Sequence, residues 1–441
     1  MVGKFTYALN RSQTCRLPAA CFIRPQTTLD VAILLRVVRY AQSKFAIRSG
    51  GHNPNAGFGS VGANGVLIDL QDLDDLSLNS EEELTTGPGN RWIDIYNFLS
   101  NYKLGAIGGR DGDVGVPGFL LGGGMSFFPN LYGFGADNVK SFEIVLANSS
   151  IVDANANTNP DLFTALKGGA SNFGIVVKFQ IYTHPLHQIW YSLDLYAASD
   201  YAAILNATVQ AQVAMETDPK LGLFVNINPE VIIVGKLYSE WTLPPSGFSS
   251  FEAITPVGVY IPATNGTLSE LVDSIKIGSF PARRETYTVT HGVDLKLYTE
   301  IHKRYLSMLN TSIASSANLS YTIQPVGTAG VKAGAARGGN TLGLYPAAQS
   351  WHASLVEWTS EEDDTSAHGM VNTMGKSVEE LSRNEKSYYP FQFMNDASYT
   401  QNPLASYGAQ NLAKLRDVGK AYDPDGLFQT LQNSGFLLSR K

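Results

Sequence analysis

Hydrophobic and polar positions change their pattern near residue 187, and this change divides the chain into two parts. In the first part, short apolar runs alternate with helical patterns. Residues 30–41 repeat their apolar positions every three or four residues, which predicts an amphipathic helix, and residues 45–48 directly after it predict a strand. Residues 66–70 predict a second strand, and Pro160 is well placed to open a further helix.

The second part of the chain has longer helical patterns separated by strands. Together they predict an α+β domain built on an antiparallel sheet, with helices on one face and the other face free for a ligand. The predicted elements are helices at 200–215, 267–277 and 295–309, and strands at 221–226, 235–241 and 351–358. The C-terminal segment returns to a helical pattern at 404–421.

Composition and charge exclude some classes of function. The 441 residues are 44% hydrophobic and 16% charged, which is enough apolar mass for two cores. A net charge of −7 argues against a nucleic-acid partner, because no basic surface is available to displace counterions. No apolar run approaches the roughly 18 residues that span a bilayer. Six glycosylation sequons suggest a secretory history, but residues 1–10 lack an apolar signal core, so the compartment stays open.

Glycine-rich segments carry the candidate chemistry. Residues 48–52, RSGGH, directly follow a strand, and their two glycines let consecutive backbone N–H groups converge on an anion such as a pyrophosphate. A longer segment covers residues 108–126, and a third at 133–139 is followed by NFGIV at 172–176. Phosphate-loop, zinc, nucleophile-elbow and GxGxxG motifs are absent, and the scattered histidines predict no metal site.

The order and spacing of these segments resemble the berberine bridge enzyme-like flavoproteins of the vanillyl-alcohol oxidase (PCMH) superfamily, above all members from fungal secondary metabolism. The matching segments are RSGGH at 48–52, VGVPGFLLGGGMS at 114–126, ADNV at 136–139, NFGIV at 172–176 and Tyr-Gly at 407–408. The resemblance implies an α+β fold of two domains, with a PCMH-type FAD-binding domain at 17–186. It further implies an antiparallel substrate domain backed by helices at 187–389, and a C-terminal segment at 390–441 that returns to the FAD domain.

The resemblance also implies roles for individual residues. His52 would carry FAD covalently through the flavin 8α-methyl group. Its loop would bind the pyrophosphate through Arg48, Ser49, Gly50 and Gly51. Further residues would line the cofactor, namely Val114, Gly115, Gly118, Gly122, Gly123, Gly124, Ser126, Ile175, Val176 and Asn395. Asn138 is assigned to the cofactor as well, with a structural role as the alternative.

Two departures from the family pattern bear on the chemistry. Many relatives attach the flavin a second time through a cysteine where this chain has Asp111, so we expect one covalent bond and no cysteinyl link. The family commonly has Asn-Tyr near the C-terminus, with the tyrosine as base, where this chain has Asn395-Asp396. A carboxylate can also accept a proton, so Asp396 is the first candidate for the base, with turn capping as the alternative. His352 is the second candidate, with a structural histidine as the alternative.

These features predict an FAD-dependent oxidase that acts on a small organic substrate by hydride transfer to flavin N5, with molecular oxygen as acceptor. We expect a monomer that binds neither nucleic acid nor a membrane. A non-redox isomerase or cyclase on the same scaffold is the main alternative, favoured by an aspartate in the position of the base. A carbohydrate oxidase is a further alternative, against which the missing cysteine argues. The last alternative is a protein that binds flavin without catalysing a reaction.

Overall fold

Two sheets form the N-terminal part of the protein in the computed structural model, which describes residues 10–275, 282–311 and 316–440. The strands are β1 (Cys21–Ile23), β2 (Lys44–Arg48), β3 (Gly65–Asp69), β4 (Leu76–Leu78), β5 (Glu83–Thr86), β6 (Gly105–Ala106), β7 (Val139–Leu146), β8 (Ile151–Asn155) and β9 (Gly174–His184). The first sheet is parallel with order β1-β3-β2, and the second is antiparallel with order β4-β5-β9-β7-β8, β6 pairing with β9. The helices here are α1 (Thr28–Ala41), α2 (Trp92–Ser100), α3 (Val116–Leu121), α4 (Pro129–Tyr132) and α5 (Pro160–Leu166).

Helix α1 begins at a capping box and buries its apolar face. Thr27 Oγ1 accepts a hydrogen bond from Asp30 N at 3.1 Å, and Thr27 N donates to Asp30 Oδ2 at 2.9 Å. Val31 and Leu35, one turn apart, are fully buried and belong to a cluster that also contains Phe428 of the C-terminal segment. The apolar face of α1 therefore packs against the C-terminal segment.

Thr27→Ala is expected to lower the free energy of unfolding by about 1 kcal/mol, because the first turn of α1 loses the acceptor for Asp30 N. Gln26→Ala is the matched control, since this exposed side chain makes no hydrogen bond within the described ranges. Urea unfolding followed by circular dichroism measures both variants. Equal unfolding midpoints for the two variants would contradict a stabilising cap.

One eight-stranded antiparallel sheet forms the second part of the protein. Its strands are β10 (Gln188–Ala197), β11 (Leu221–Ile227), β12 (Val231–Tyr238), β13 (Gly258–Thr267), β14 (Arg283–Gly292), β15 (Asn318–Val326), β16 (Gln349–Trp358) and β17 (Tyr388–Tyr389). Their order is β13-β10-β12-β11-β15-β16-β14-β17. The helices of this part are α6 (Tyr201–Met215), α7 (Leu268–Ser274), α8 (Leu295–Thr311), α9 (Thr328–Ala336) and α10 (Asp364–Asn384).

Helices α6, α8 and α10 cover one face of this sheet. Leu205, Ile301 and Met374, one from each helix, are buried in a common cluster with Val234 and Tyr321 of the sheet. The opposite face borders a cavity. The predicted α+β architecture, an antiparallel sheet with helices on one face, is confirmed. The helix predicted at 267–277 ends at Ser274, and its last two predicted residues, 276 and 277, lie outside the described residues.

The C-terminal segment contains α11 (Pro403–Ser406), α12 (Ala409–Tyr422) and α13 (Leu427–Thr430). The single helix predicted at 404–421 is wrong, because Gly408 has a φ of +92° and separates α11 from α12. Asp423 then begins α13 by accepting hydrogen bonds from Leu427 N and Phe428 N, both at 2.8 Å. Within the described ranges, none of the helices combines the length and apolarity of a membrane span.

The end of the C-terminal segment packs on the N-terminal part. Gln432 forms a parallel bridge with Phe45 of β2, and the ring of Phe428 meets that of Phe45 edge to face at 5.8 Å. Asn172 Nδ2 donates to Phe436 O at 2.9 Å. The division of the chain at residues 186 and 389 stays a proposal, which these contacts support.

Candidate active site

A cavity of about 800 Å³ lies between the glycine-rich segments and the open face of the eight-stranded sheet. Residues 47–53 and 109–122 supply much of one wall, and residues 393–396 and 432–436 of the C-terminal segment contribute to it. The sheet supplies the other wall through Leu193, Phe224, Asn226, Ile233, Ser320, Thr322, Gln324, Leu355 and Glu357. Three separate parts of the chain therefore meet at one site.

The loop at residues 48–52 begins on a buried ion pair. Arg48 and Asp69 are direct partners on the parallel strands β2 and β3, and Arg48 Nη2 donates to Asp69 Oδ2 at 2.7 Å. Both side chains are almost fully buried. Removal of either partner would leave an uncompensated buried charge, so the pair is expected to stay intact. It therefore holds the end of β2 in place, where the loop begins.

Gly50 and Gly115 bring two glycine-rich segments into contact beside the cavity. A Cβ added to Gly50 would lie 2.5 Å from Gly115 N, and one added to Gly115 would lie 2.5 Å from Gly50 N. Gly51 has a φ of +67°, a conformation that favours glycine. The loop therefore presents bare backbone to the cavity, as close contact with a pyrophosphate requires. This backbone and the size of the cavity fit the FAD that the sequence implies.

His52 ends this loop in the cavity wall, paired with Asp111. His52 Nε2 lies 3.2 Å from Asp111 Oδ2, and Arg11 contacts the imidazole while its Nη1 donates to the same oxygen at 2.8 Å. Burial lowers the pKa of His52 more than Asp111 raises it, so the ring is neutral near pH 7. Burial would raise the pKa of Asp111, but the His52 hydrogen bond and the charge of Arg11 outweigh it and lower this pKa. The Arg11 and Asp111 contacts are both made at Nε2, and among the described residues they are the hydrogen-bonding contacts of the His52 ring.

Asn395 braces the second glycine-rich segment from the C-terminal side. Its Nδ2 donates to Gly118 O at 2.7 Å, and its Oδ1 accepts from Gly124 N at 3.1 Å. A Cβ on Gly122 would collide with the amide of Asn395. These contacts fix the short turn that presents the next residue, Asp396, to the cavity.

Asp396 is held by the sheet wall of the cavity. Gln324 Nε2 of β15 donates to Asp396 Oδ2 at 2.7 Å, and Arg110 donates to Gln324 Oε1 from the other side. Burial raises the pKa of Asp396, and the hydrogen bond from Gln324 and the charge of Arg110 only partly oppose it. A carboxyl group with a raised pKa can exchange a proton with a bound molecule closer to neutral pH.

Most of the predicted cofactor residues lie in the cavity wall, namely Arg48, Ser49, Gly50, Gly51, His52, Val114, Gly115, Gly118, Gly122 and Asn395. Three others lie behind it. Gly123 and Gly124 have φ values of +111° and +78° and turn the chain, and Ser126 Oγ accepts from Phe128 N at 3.2 Å. Their positions indicate that they shape the segment from behind.

Asn138, Ile175 and Val176 lie away from the cavity, which corrects their assignment to the cofactor. Asn138 Nδ2 donates to Tyr132 O at 3.0 Å and to Phe134 O at 2.8 Å, so it takes the structural alternative. Ile175 and Val176 are buried in hydrophobic clusters at the start of β9. The NFGIV segment instead contributes Asn172, which ties down the C-terminal segment.

His352 lies on the helix-covered face of the sheet, which corrects its candidacy as a base. On β16, Leu355 and Glu357 line the cavity, and since side chains alternate along a strand, His352 points to the other face. Its ring stacks on Tyr321 at 5.0 Å, and its Nε2 lies 3.0 Å from Ser354 Oγ. Burial lowers the pKa of His352 to about 3. The structural alternative describes this residue.

The sequence interpretation missed three side chains of this site. Arg11 contacts His52, while Arg110 and Gln324 adjoin Asp396. Arg110 lies within the glycine-rich segment at residues 108–126, where a charged side chain could have been recognised as a candidate binding residue. Arg11 and Gln324 carry no motif that distinguishes them from other polar residues.

Comparison with known proteins agrees with this geometry. Residues 19–155 match the FAD binding domain family. An FAD-dependent monooxygenase from Arthrobotrys oligospora is 37% identical over 98% of this chain and 84% of its own length. A second one from Penicillium terrestre is 35% identical over 97% of this chain and 83% of its own length. Both relatives therefore align along almost the whole chain.

The fold has close counterparts among solved structures. Glucooligosaccharide oxidase from Acremonium strictum, whose FAD is described as 6-S-cysteinyl and 8α-N1-histidyl, superposes with a TM-score of 0.79 at 18% identity. The match covers 96% of this chain and 94% of that one, and at this identity it shows the fold alone. The identity to these fungal relatives over almost the whole chain shows that the protein belongs to the same family of FAD-linked oxidoreductases as the fungal FAD-dependent monooxygenases.

Proposed function

We propose that the protein is an oxidase that holds FAD covalently through His52 and uses Asp396 as the base toward a small organic substrate. The observation that carries this proposal is that both side chains lie in the wall of one cavity, although 344 positions separate them in the sequence. FAD bound there would supply a hydride acceptor that molecular oxygen can regenerate. The fungal relatives favour a substrate from secondary metabolism.

The environment of His52 supports the histidyl link. Bond formation to a carbon atom needs a neutral imidazole with a free lone pair, and burial keeps the ring neutral. Asp111 and Arg11 both contact Nε2, which leaves Nδ1 as the nitrogen proposed for the bond. The His52 hydrogen bond and the charge of Arg11 lower the pKa of Asp111 and keep it ionised, so its carboxylate can orient the imidazole.

The two cysteines support a single covalent bond. Cys21 is exposed and does not belong to the cavity wall. Cys15 borders the cavity, but burial raises the pKa of its thiol to about 11, so it is not the thiolate that forms such bonds. The position at which relatives place a linking cysteine is Asp111, which cannot form a thioether.

Asp111→Asn is expected to slow covalent attachment of FAD by about tenfold while non-covalent binding persists. The amide keeps the size of the side chain but loses the charge that orients the imidazole. The fraction of flavin that stays with acid-precipitated protein, followed in time after FAD is added to flavin-free protein, measures the rate. Asp113→Asn, at an exposed position two residues on, is the control. Attachment at the wild-type rate in Asp111→Asn would exclude this positioning role.

Asp396 is the proposed base because it is an ionisable group of the cavity without an ion-pair partner within 4 Å among the described residues. By contrast, Asp111 is paired with Arg11, and Glu357 is paired with Arg284 at 2.5 Å. Gln324 holds one Asp396 oxygen and orients the carboxylate. As a base it would take the proton that a substrate hydroxyl or carbon acid releases when the substrate is oxidised.

A non-redox isomerase or cyclase is the second candidate, and the raised pKa of Asp396 favours it, because a protonated carboxyl can act as an acid. Anaerobic mixing of the holoenzyme with a panel of fungal metabolites distinguishes the two functions. An oxidase substrate bleaches the flavin, and hydrogen peroxide appears when air is admitted. Conversion of a metabolite to an isomer without bleaching would replace the oxidase proposal.

A further inference from the structure

The guanidinium of Arg110 is the feature of the cavity that the proposed oxidation leaves unused. Arg110 leaves the glycine-rich segment and reaches the sheet, where it lies over the ring of Phe224 at 5.7 Å and donates to Gln324 Oε1. Arg110 has five N–H donors, and among the described residues the bond to Gln324 is the one hydrogen bond that they make. The remaining donors are therefore available to a molecule in the cavity.

Arg110 also lacks a direct counter-charge among the described residues, since no carboxylate lies within 4 Å of it. Asp396 is the nearest acid in the network, but Gln324 stands between the two. Burial lowers the pKa of Arg110 and Asp396 opposes this shift, and a guanidinium stays charged at any working pH. Arg110 is half-buried and has no carboxylate within 4 Å in the described part of the chain, so an incoming anion would gain a charge-assisted hydrogen bond there.

The sheet wall of the cavity indicates which kind of substrate body fits beside Arg110. Phe224, Ile233 and Leu355 are apolar. Of the polar side chains, Asn226 Nδ2 donates to Thr322 Oγ1 at 2.8 Å, and Glu357 is paired with Arg284 at 2.5 Å. Such a wall suits an apolar or aromatic body better than the many hydroxyls of a sugar.

We infer that Arg110 binds an acidic oxygen of the substrate, a carboxylate or an ionised phenol or enol, and that the substrate's remaining body is largely apolar. This inference rests on the proposed function, because it places the substrate in the cavity that holds FAD. It assigns the protein a substrate class other than neutral oligosaccharides. Gln324 then connects the anion-binding side chain to Asp396, so binding and proton transfer share one hydrogen-bonded unit.

Benzoate and benzamide test the charge requirement, because they share a ring and differ in the anionic oxygen. Isothermal titration of the holoenzyme is expected to show that benzoate binds about tenfold or more tightly than benzamide. Arg110→Met is expected to abolish this preference, and Arg110→Lys to retain part of it. Arg91→Met is the matched control, because Arg91 lies outside the cavity wall and donates to Asp113 O.

The source of the acidic oxygen is tested by a second pair, 4-nitrophenolate and 4-nitroanisole, at a pH where the phenol is ionised. A preference for either anion that depends on Arg110 supports the inference and selects a carboxylate or a phenolate. Equal affinities for anion and neutral partner in both pairs, or a preference that survives in Arg110→Met, would overturn it. Binding of cellobiose more tightly than any anion would overturn it as well.

Failure of the Arg110 assignment and failure of the oxidase proposal give different results. Binding is measured without turnover, and flavin content and attachment are checked on the same samples. If the wild-type holoenzyme shows no anion preference but attaches and reduces its flavin normally, the role of Arg110 is refuted and the oxidase proposal stands. Absent flavin, or flavin that no substrate reduces, refutes the oxidase proposal whatever the probes show.

Discussion

Asp396→Asn is expected to lower the rate of flavin reduction by about a hundredfold or more at saturating substrate. The amide keeps the volume of the side chain and still accepts the hydrogen bond from Gln324, so fold and FAD loading should persist. It has no group that titrates as a base, so the proton released during substrate oxidation loses its acceptor. Anaerobic stopped-flow absorbance of the flavin measures this step directly.

The pH dependence gives an independent check on the same residue. The base must be ionised, and burial raises the pKa of Asp396 above its ordinary value of 3.8. The wild-type rate should therefore rise with pH across a range above 3.8 and level off once the carboxyl has lost its proton. In Asp396→Asn this rise should disappear, because the titrating group is gone.

Asp417→Asn is the control for Asp396→Asn, because it makes the same chemical change on an exposed face of α12. Asp396→Tyr tests whether the family's usual base can act from this position. A reduction rate in Asp396→Asn within about twofold of the wild type would show that proton transfer at this residue is not part of the chemical step. A tyrosine of the cavity wall, such as Tyr260, would then be the next candidate.

Periodicity predicted the elements that have one buried face and missed those buried on both. The strand predicted at 351–358 lies within β16, and the helix at 30–41 lies within α1. Strand β15 was not predicted, because most residues on both of its faces are buried and buried positions do not alternate, whereas in β16 the cavity-facing positions 353, 355 and 357 stay partly exposed. The same holds for β14, whose polar sequence is largely buried.

The site could be predicted where a local motif fixes the backbone, and not where distant chain segments meet. His52 follows from the strand and glycines around it, and Asp396 from its place after Asn395. His352 was assigned to the wrong face, because a shift of one residue along a strand exchanges its two faces and the sequence does not fix that register. Arg110 and Gln324 meet across 214 positions, a contact that no local pattern records.

His52→Ala is expected to abolish covalent attachment of FAD while leaving the cavity able to bind it. The glycine contacts of the loop and the Arg48–Asp69 pair do not involve the imidazole, so the loop should keep its shape. Acid-precipitated wild-type protein should stay yellow, whereas the variant should release all its flavin into the supernatant. Mass spectrometry of a digest should place the flavin on the peptide that contains His52, with both cysteines unmodified.

His187→Ala is the control for this prediction, since His187 lies outside the cavity wall and should leave the pellet yellow. A colourless wild-type pellet with free FAD in the supernatant would refute the histidyl link. A yellow pellet from His52→Ala would instead show that another side chain forms the bond. Cys15 would be the next candidate, because it borders the same cavity. Since Asp111→Asn is expected only to slow attachment, whereas His52→Ala removes it, the two variants separate the residue that forms the bond from the residue that orients it.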